Sequence, residues 1–149
     1  MSSPIIAYTD GSCLGNPGKG GWGVIIKWND GETQLSGNSP ASTNNEMELS
    51  AAYYACVELV KNDVKYAAIY TDSNYVKKGI TEWILKWRTN GYNTATKKPI
   101  KNQEIWKLLD EEQKKIDTID WIHVKAHAGN ETNERVDKIA RDAANNQQI

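Results

Sequence analysis

Residues 7–28 read AYTDGSCLGNPGKGGWGVIIKW. The stretch opens as a buried strand, β-branched and aromatic, and sets Asp10 at its end. A glycine-rich segment follows, and then a second strand, GWGVIIKW. Two nucleotide-binding patterns fail here. A P-loop needs G-x-x-x-x-G-K-S/T, but Gly18-Lys19 is followed by Gly20, and Cys13 stands where the first glycine should be. Residues 18–23, GKGGWG, match G-x-G-x-x-G, yet that fingerprint must open a helix and this one opens a strand. A hairpin between antiparallel strands remains, with turn chemistry from Asn16-Pro17-Gly18. A hairpin alone does not explain Asp10.

Downstream, NDG at 29–31 signals a turn into a polar third strand around ETQLSG. Residues 42–62, STNNEMELSAAYYACVELVKN, form the strongest helix pattern, with Thr43 as N-cap and Glu46 completing a capping box. KYAAIYTD is a fourth strand, again ending in an aspartate, Asp72. SNYVKKG reads as a short helix stopped by Gly79, and TEWILKWRT as another helical segment before the loop 90–102. QEIWKLLDEEQKK is an exposed amphipathic helix, TIDWIHVK a fifth strand, and NERVDKIARDAANN a closing helix with alanines on its inner face. A meander followed by strand–helix crossovers predicts an α/β fold: a five-stranded mixed sheet, three strands antiparallel and two parallel, flanked by helices. Ligands of such open sheets bind beyond the carboxyl ends of the parallel strands. Asp10 and Asp72 lie there.

A chain of 149 residues with 39% hydrophobic and 25% charged residues is expected to form one globular domain, spanning 1–149. No apolar run approaches the ~20 residues of a membrane span, and the N-terminus lacks a signal peptide's basic region. Cys13 and Cys56 have no metal-type spacing, and a reduced cytosolic pair is the expectation. A net charge of −1 argues against a generally basic nucleic-acid binder. Its distribution is uneven: between Trp83 and Gln103 lie Lys86, Arg88, Lys97, Lys98 and Lys101 with no acid, a footprint to test for phosphate contact. The acids Glu104, Asp110, Glu111, Glu112, Asp117 and Asp120 follow. Taken alone, such runs are as often solvated faces.

Four acids occupy core-facing positions, where an ionised side chain is costly unless paired or holding a metal. Asp10 shares a strand face with Ile6 and Tyr8. Asp72 ends strand four, Glu48 lies on the apolar stripe with Ala52, Ala55 and Leu59, and Asp137 stands between Val136 and Ala140. Singly, each reads as a capping, dipole or turn carboxylate. Jointly, at strand ends and helix starts gathered on one sheet edge, they suit Mg²⁺ or Mn²⁺ rather than zinc, in phosphoryl chemistry with two ions about 4 Å apart. His127, in a small-residue polar loop, is a candidate proton carrier, and His123, inside strand five, is read as structural.

The blocks YTDGSCLGNPG, TNNEMEL, YTDSNYV, GITEW with a following Trp87, and VKAHAGNETNERVD resemble, in order and spacing, a type 1 ribonuclease H of the bacterial kind over residues 5–145. The resemblance implies endonucleolytic hydrolysis of the RNA strand of RNA–DNA hybrids by a single catalytic domain, with no separate hybrid-binding domain. It implies a cytoplasmic monomer. It assigns two Mg²⁺ ions, replaceable by Mn²⁺, to Asp10, Glu48, Asp72 and Asp137, with one ion activating water and the other stabilising the leaving 3′ oxygen, so that 5′-phosphate and 3′-hydroxyl ends result. His127 matches the family's loop histidine. Cys13, Gly15, Asn16, Asn44, Asn45 and Asn74 match residues that line the RNA minor groove and read 2′-hydroxyls. Thr43 and Asn102 match a DNA-phosphate pocket, and Trp83 matches the aromatic wall of the DNA channel.

The chain departs from the family pattern in three places. Ala41 replaces a pocket arginine, and Glu46 stands where a base is common. RTNGYNT carries Thr89, Asn90 and Asn93 in a protrusion usually rich in lysine and arginine, and Ala126 replaces a loop glycine. Each lost phosphate contact weakens binding and flattens its salt dependence. Two other classes compete: a transposase- or integrase-like nuclease of the same acidic-cluster fold, and a non-catalytic hybrid-binding module. The intact acid set speaks against the latter, since a pure binder gains nothing from negative charge beside phosphates.

Overall fold

The computed structural model describes residues 3–94, 96–125 and 130–146. In chain order the elements are β1 (Ile5–Gly15), β2 (Gly18–Trp28), β3 (Gly31–Ser42), α1 (Asn44–Lys61), β4 (Tyr66–Thr71), α2 (Asn74–Lys78), a π-helical turn (Gly79–Trp83), α3 (Ile84–Asn90), α4 (Gln103–Gln113), β5 (Thr118–His123) and α5 (Glu131–Asn145). They build one sheet in the order β3-β2-β1-β4-β5. The β1–β2 and β2–β3 pairs are antiparallel, and the β1–β4 and β4–β5 pairs are parallel. The five-stranded mixed sheet expected from the sequence is the one observed.

Strand β1 has two regimes. Its parallel pairing with β4 covers Ile5 to Tyr8, whereas its antiparallel pairing with β2 continues to Gly15. A bond from Thr9 Oγ1 to the Tyr70 carbonyl, 3.1 Å, ties the strands just beyond the last pair. Asp10 therefore lies where β1 and β4 part, within the strand and not at its end as the sequence suggested. The glycine-rich segment is itself β-ladder, closed by a turn at Asn16-Pro17 between the paired Gly15 and Gly18. Its glycines admit neighbouring elements. A Cβ at Gly21 would lie 2.4 Å from the Ala140 carbonyl oxygen and the Ala144 amide of α5, and one at Gly20 would lie 2.7 Å from Met47 Cγ.

The larger core lies between the sheet and α1 with α4. Ala7, Val24, Ile26 and Ile69 of the sheet meet Leu49, Ala52, Cys56, Leu59, Trp106 and Leu109. The alanines of α1 let the helix axis approach the strands, and truncating Leu59 to Ala would cost about 2–5 kcal/mol. Alternation along β1 turns Ile6 and Tyr8 to the other face, where Ile25, Val136 and Ile139 form a smaller cluster under α5. Both cysteines are free. Cys56 is fully buried, and half-buried Cys13 donates to the Ser42 carbonyl at 3.2 Å.

Two local readings are corrected. Thr43 caps α1, accepting from the Glu46 amide at 3.2 Å, but the Glu46 carboxylate takes the Ser42 hydroxyl at 2.9 Å and makes no capping box. Gly79 does not stop a helix. The chain runs on through the π-helical turn into α3, because glycine is needed there for packing: a Cβ would lie 2.1 Å from Cη2 of the fully buried Trp106.

Candidate active site

The parting of β1 and β4 leaves an opening at the sheet edge, and three acids from separate elements close on it. Asp10 comes from β1, Asp72 follows β4, and Glu48 comes from the first turns of α1. One oxygen from each lies within 4.8 Å of the others. Gly11 makes this possible, because a Cβ there would stand 2.4 Å from the Glu48 amide nitrogen and push the start of α1 away. The Gly11 amide donates to Asp10 Oδ1 at 2.9 Å. His123 Nε2 lies 3.2 Å from the Asp72 carbonyl oxygen, which fits the structural role expected of this histidine.

The electrostatics are unfavourable as they stand. Asp10 and Glu48 are each only 5% exposed. Burial first, then the charge of Asp72, pushes Asp10 up to about 9 from its ordinary 3.8. Burial, then the charges of Asp10 and Asp72, raises Glu48 well above its ordinary value. Glu48 Oε1 and Asp72 Oδ1 are buried without a hydrogen-bond partner among the described residues. An all-oxygen donor set of converging carboxylates with unfilled lone pairs fits a hard divalent cation, whose charge would offset both the repulsion and the burial.

Asp137 stands on the far side of the same opening, on α5. It is near enough to Asp10 to raise that carboxyl's pKa, and its Oδ2 accepts from Arg141 Nε at 3.0 Å. It lines the cleft with Asp10 and Asp72 but falls outside the tight triad. Lys125 and Asn133 also line this cleft. No role for them was expected from sequence, and their place within the VKAHAGNETNERVD run is the signal that could have found them. His127 lies outside the described residues.

The remaining candidates fall into two groups. Around the β1–β2 turn and the start of α1, Asn16 Oδ1 accepts from the Asn44 amide at 3.2 Å, and Cys13 is tied to Ser42 beside Thr43. Gly15 has φ 91°, in the left-handed region that glycine tolerates. Asn44 and Asn45 are exposed in the first turn of α1. The second group centres on Tyr75. Its hydroxyl accepts from Asn102 Nδ2 at 3.3 Å and from Trp106 Nε1 at 3.0 Å, and its ring meets that of Trp83 at 5.9 Å. Exposed Asn74 adjoins it in α2. Tyr75, which the sequence reading passed over, thus joins three of the expected substrate positions.

Comparison with known proteins agrees with this geometry. The family model for RNase H matches residues 2–145. The chain belongs to the ribonuclease H family. A ribonuclease H of Hyphomonas neptunium is 50% identical over 137 residues, covering 92% of this chain and 89% of that protein. One from Brucella anthropi is 50% identical over 138 residues, covering 93% and 88%. Among solved structures, LC9-RNase H1, a type 1 RNase H with the type 2 active-site motif, superposes with a TM-score of 0.85 at 28% identity, covering 99% of this chain and 75% of that one. A foamy viral protease-reverse transcriptase in complex with RNA/DNA hybrid gives 0.80 at 27% identity, covering 94% of this chain and 20% of that chain. Membership places this chain among enzymes, the ribonuclease H hydrolases. No helix among the described residues is long and apolar enough to cross a membrane.

Proposed function

We propose that the protein is an endoribonuclease that hydrolyses the RNA strand of RNA–DNA hybrids, leaving 5′-phosphate and 3′-hydroxyl ends. The observation that carries this reading is the Asp10–Glu48–Asp72 cluster, with two buried carboxylate oxygens lacking partners among the described residues, in a chain of this family. Asp10, Glu48, Asp72 and Asp137 hold two Mg²⁺ ions, and Mn²⁺ can take their place. When bound, the ions supply activation of water and stabilisation of the leaving oxygen. His127, upstream of Asp137, carries protons to and from the site.

The chain's own groups position the hybrid. Asn16 uses its amide oxygen on Asn44, which leaves its NH₂ free to donate to a sugar edge. With Cys13, Gly15, Asn44, Asn45 and Asn74 it meets the RNA strand, whose 2′-hydroxyls distinguish RNA from DNA. The Thr43 hydroxyl accepts the Glu46 amide and keeps its own proton for a phosphate of the DNA strand, with Asn102 as partner. Trp83, 38% exposed, offers an aromatic wall to that strand. The 149 residues act as one catalytic domain, monomeric and cytoplasmic.

One assay tests this. An end-labelled RNA–DNA hybrid, with duplex DNA and duplex RNA as controls, is incubated with protein and Mg²⁺, alongside Asp10→Asn. Cuts in the RNA strand of the hybrid alone, lost in the variant, are expected. Cutting of duplex DNA, or hybrid binding without cleavage in either Mg²⁺ or Mn²⁺, would refute it.

A further inference from the structure

Outside the metal-binding edge, the most heavily engaged acid is Asp110 of α4. It is 1% exposed and accepts from Arg88 Nε at 3.0 Å, Arg88 Nη2 at 2.6 Å, Tyr92 Oη at 2.7 Å and Gln113 Nε2 at 3.0 Å, with Lys114 Nζ at 3.3 Å. An ion pair in which only the carboxylate is buried is weak support for stability, since its desolvation offsets the attraction and its cations stay partly in water. What it secures is geometry. Arg88 follows Trp87 on α3, and Tyr92 begins the connection to α4, so one carboxylate joins three parts of the chain.

Tyr92 is the root of the basic segment. Its φ of 63° is unusual for a bulky side chain and needs surrounding contacts to hold it. Its amide donates to the Trp87 carbonyl at 2.9 Å, while its own carbonyl accepts from the Ile100 amide at 3.1 Å and from Gln103 Nε2 at 2.9 Å. Beyond it, Asn93 pairs with Pro99, and the Thr94 amide donates to the Lys98 carbonyl at 2.6 Å. Lys97, Lys98 and Lys101 are carried on this folded-back turn, exposed and in no ion pair among the described residues. The Trp87 ring contacts Trp83 at 5.9 Å and Tyr92 at 6.3 Å. The Arg88 guanidinium, counted from sequence among the cations open to phosphate, is instead paired with Asp110, although its side chain remains 34% exposed.

We propose that Asp110 is a positioning residue for hybrid binding: through Arg88 and Tyr92 it sets the aromatic wall at Trp83 and the lysine-bearing turn at one fixed spacing for the DNA strand. The inference rests on the hybrid-cleaving function proposed above. It concerns binding and not the chemical step, because none of these groups reaches the carboxylate cluster.

The test compares wild type with Asp110→Asn, Arg88→Lys and Tyr92→Phe, measuring kcat, KM and the salt dependence of hybrid binding. For Asp110→Asn, KM should rise on the order of tenfold with kcat within about twofold, and the salt slope should fall by about 1 to 2, as lysine–phosphate contacts are lost. Arg88→Lys, which keeps the charge but not the paired bonds, and Tyr92→Phe, which keeps the ring, should shift KM the same way by less. Trypsin should cut after Lys97 or Lys101 faster in Asp110→Asn than in wild type, a readout independent of the hybrid; the bond after Lys98 precedes Pro99 and resists the protease in both. Unchanged KM, or a fall in KM because the released Arg88 binds phosphate, overturns the proposal, as does a loss confined to kcat. If Asp110→Asn does not fold, the two milder variants decide, and an unchanged KM in both overturns it. A wild type that neither binds nor cuts the hybrid refutes the function proposed above, while unchanged trypsin cutting in Asp110→Asn refutes the positioning role.

Discussion

Replacing Asp10 by Asn should make the metal-free protein more stable while abolishing cleavage. The carboxyl is held protonated up to about 9 by burial and by the charges of Asp72 and Asp137, while an unfolded chain releases that proton near 3.8. Between those values the native state holds a proton that the unfolded state does not, so this group lowers stability progressively as pH rises. At pH 7 the gap is about 3 units, and at about 1.4 kcal/mol per unit the destabilisation is at most about 4 kcal/mol. Asparagine has no proton to take up, and its NH₂ can donate toward the unpartnered oxygen of Glu48 or Asp72. Urea unfolding in a chelator, followed by circular dichroism from about pH 4 to about pH 9, measures the difference. The variant's advantage should be near zero at the acid end and reach about 2–4 kcal/mol above neutrality. Mg²⁺ should then narrow the gap by stabilising only the wild type. A variant no more stable than wild type above pH 7, or an advantage independent of pH, would refute the picture of repelling carboxylates.

Three further outcomes are expected. Wild type should gain several degrees in Tm on adding millimolar Mg²⁺, and Glu48→Gln should lose most of that gain; an equal gain in both, read by calorimetry, removes Glu48 from the ligand set. Gly79→Ala should lower stability by about 1–3 kcal/mol despite alanine's better helix propensity, because the new methyl meets the buried Trp106 ring; a stabilised variant in urea titration would contradict this. Ala41→Arg, at an exposed position beside the start of α1, should tighten hybrid binding and steepen its salt slope by about 1, and an unchanged slope removes the phosphate-pocket argument.

Strand and helix identities were readable because their patterns are long and periodic, and the convergence of Asp10, Glu48 and Asp72 followed from two adjacent parallel strands and a helix start meeting at one edge, even though Asp10 proved to lie within its strand. What escaped depends on close approach. Nothing local marks Gly79 as a seat for Trp106, so it read as a stop signal. The glycines of β2 read as loop because the helix pressed against them is distant in sequence. Asp110 was hidden in a run of acids that looked solvated. Its spacing from Trp106 and Leu109 places it on their buried face, which was a usable sign. Asp137 shows the opposite limit: its helical stripe was correctly read, but how far it stands from the other three acids is set by the packing of α5.

The two free thiols have a practical consequence. Cys13, half-buried beside the proposed sugar-contacting residues, can meet a small alkylating reagent in the native protein and should be shielded by a bound hybrid. Cys56, fully buried on α1, can react only when the larger core opens. A single labelling time course therefore holds two clocks, one for occupancy and one for unfolding, with no engineered probe.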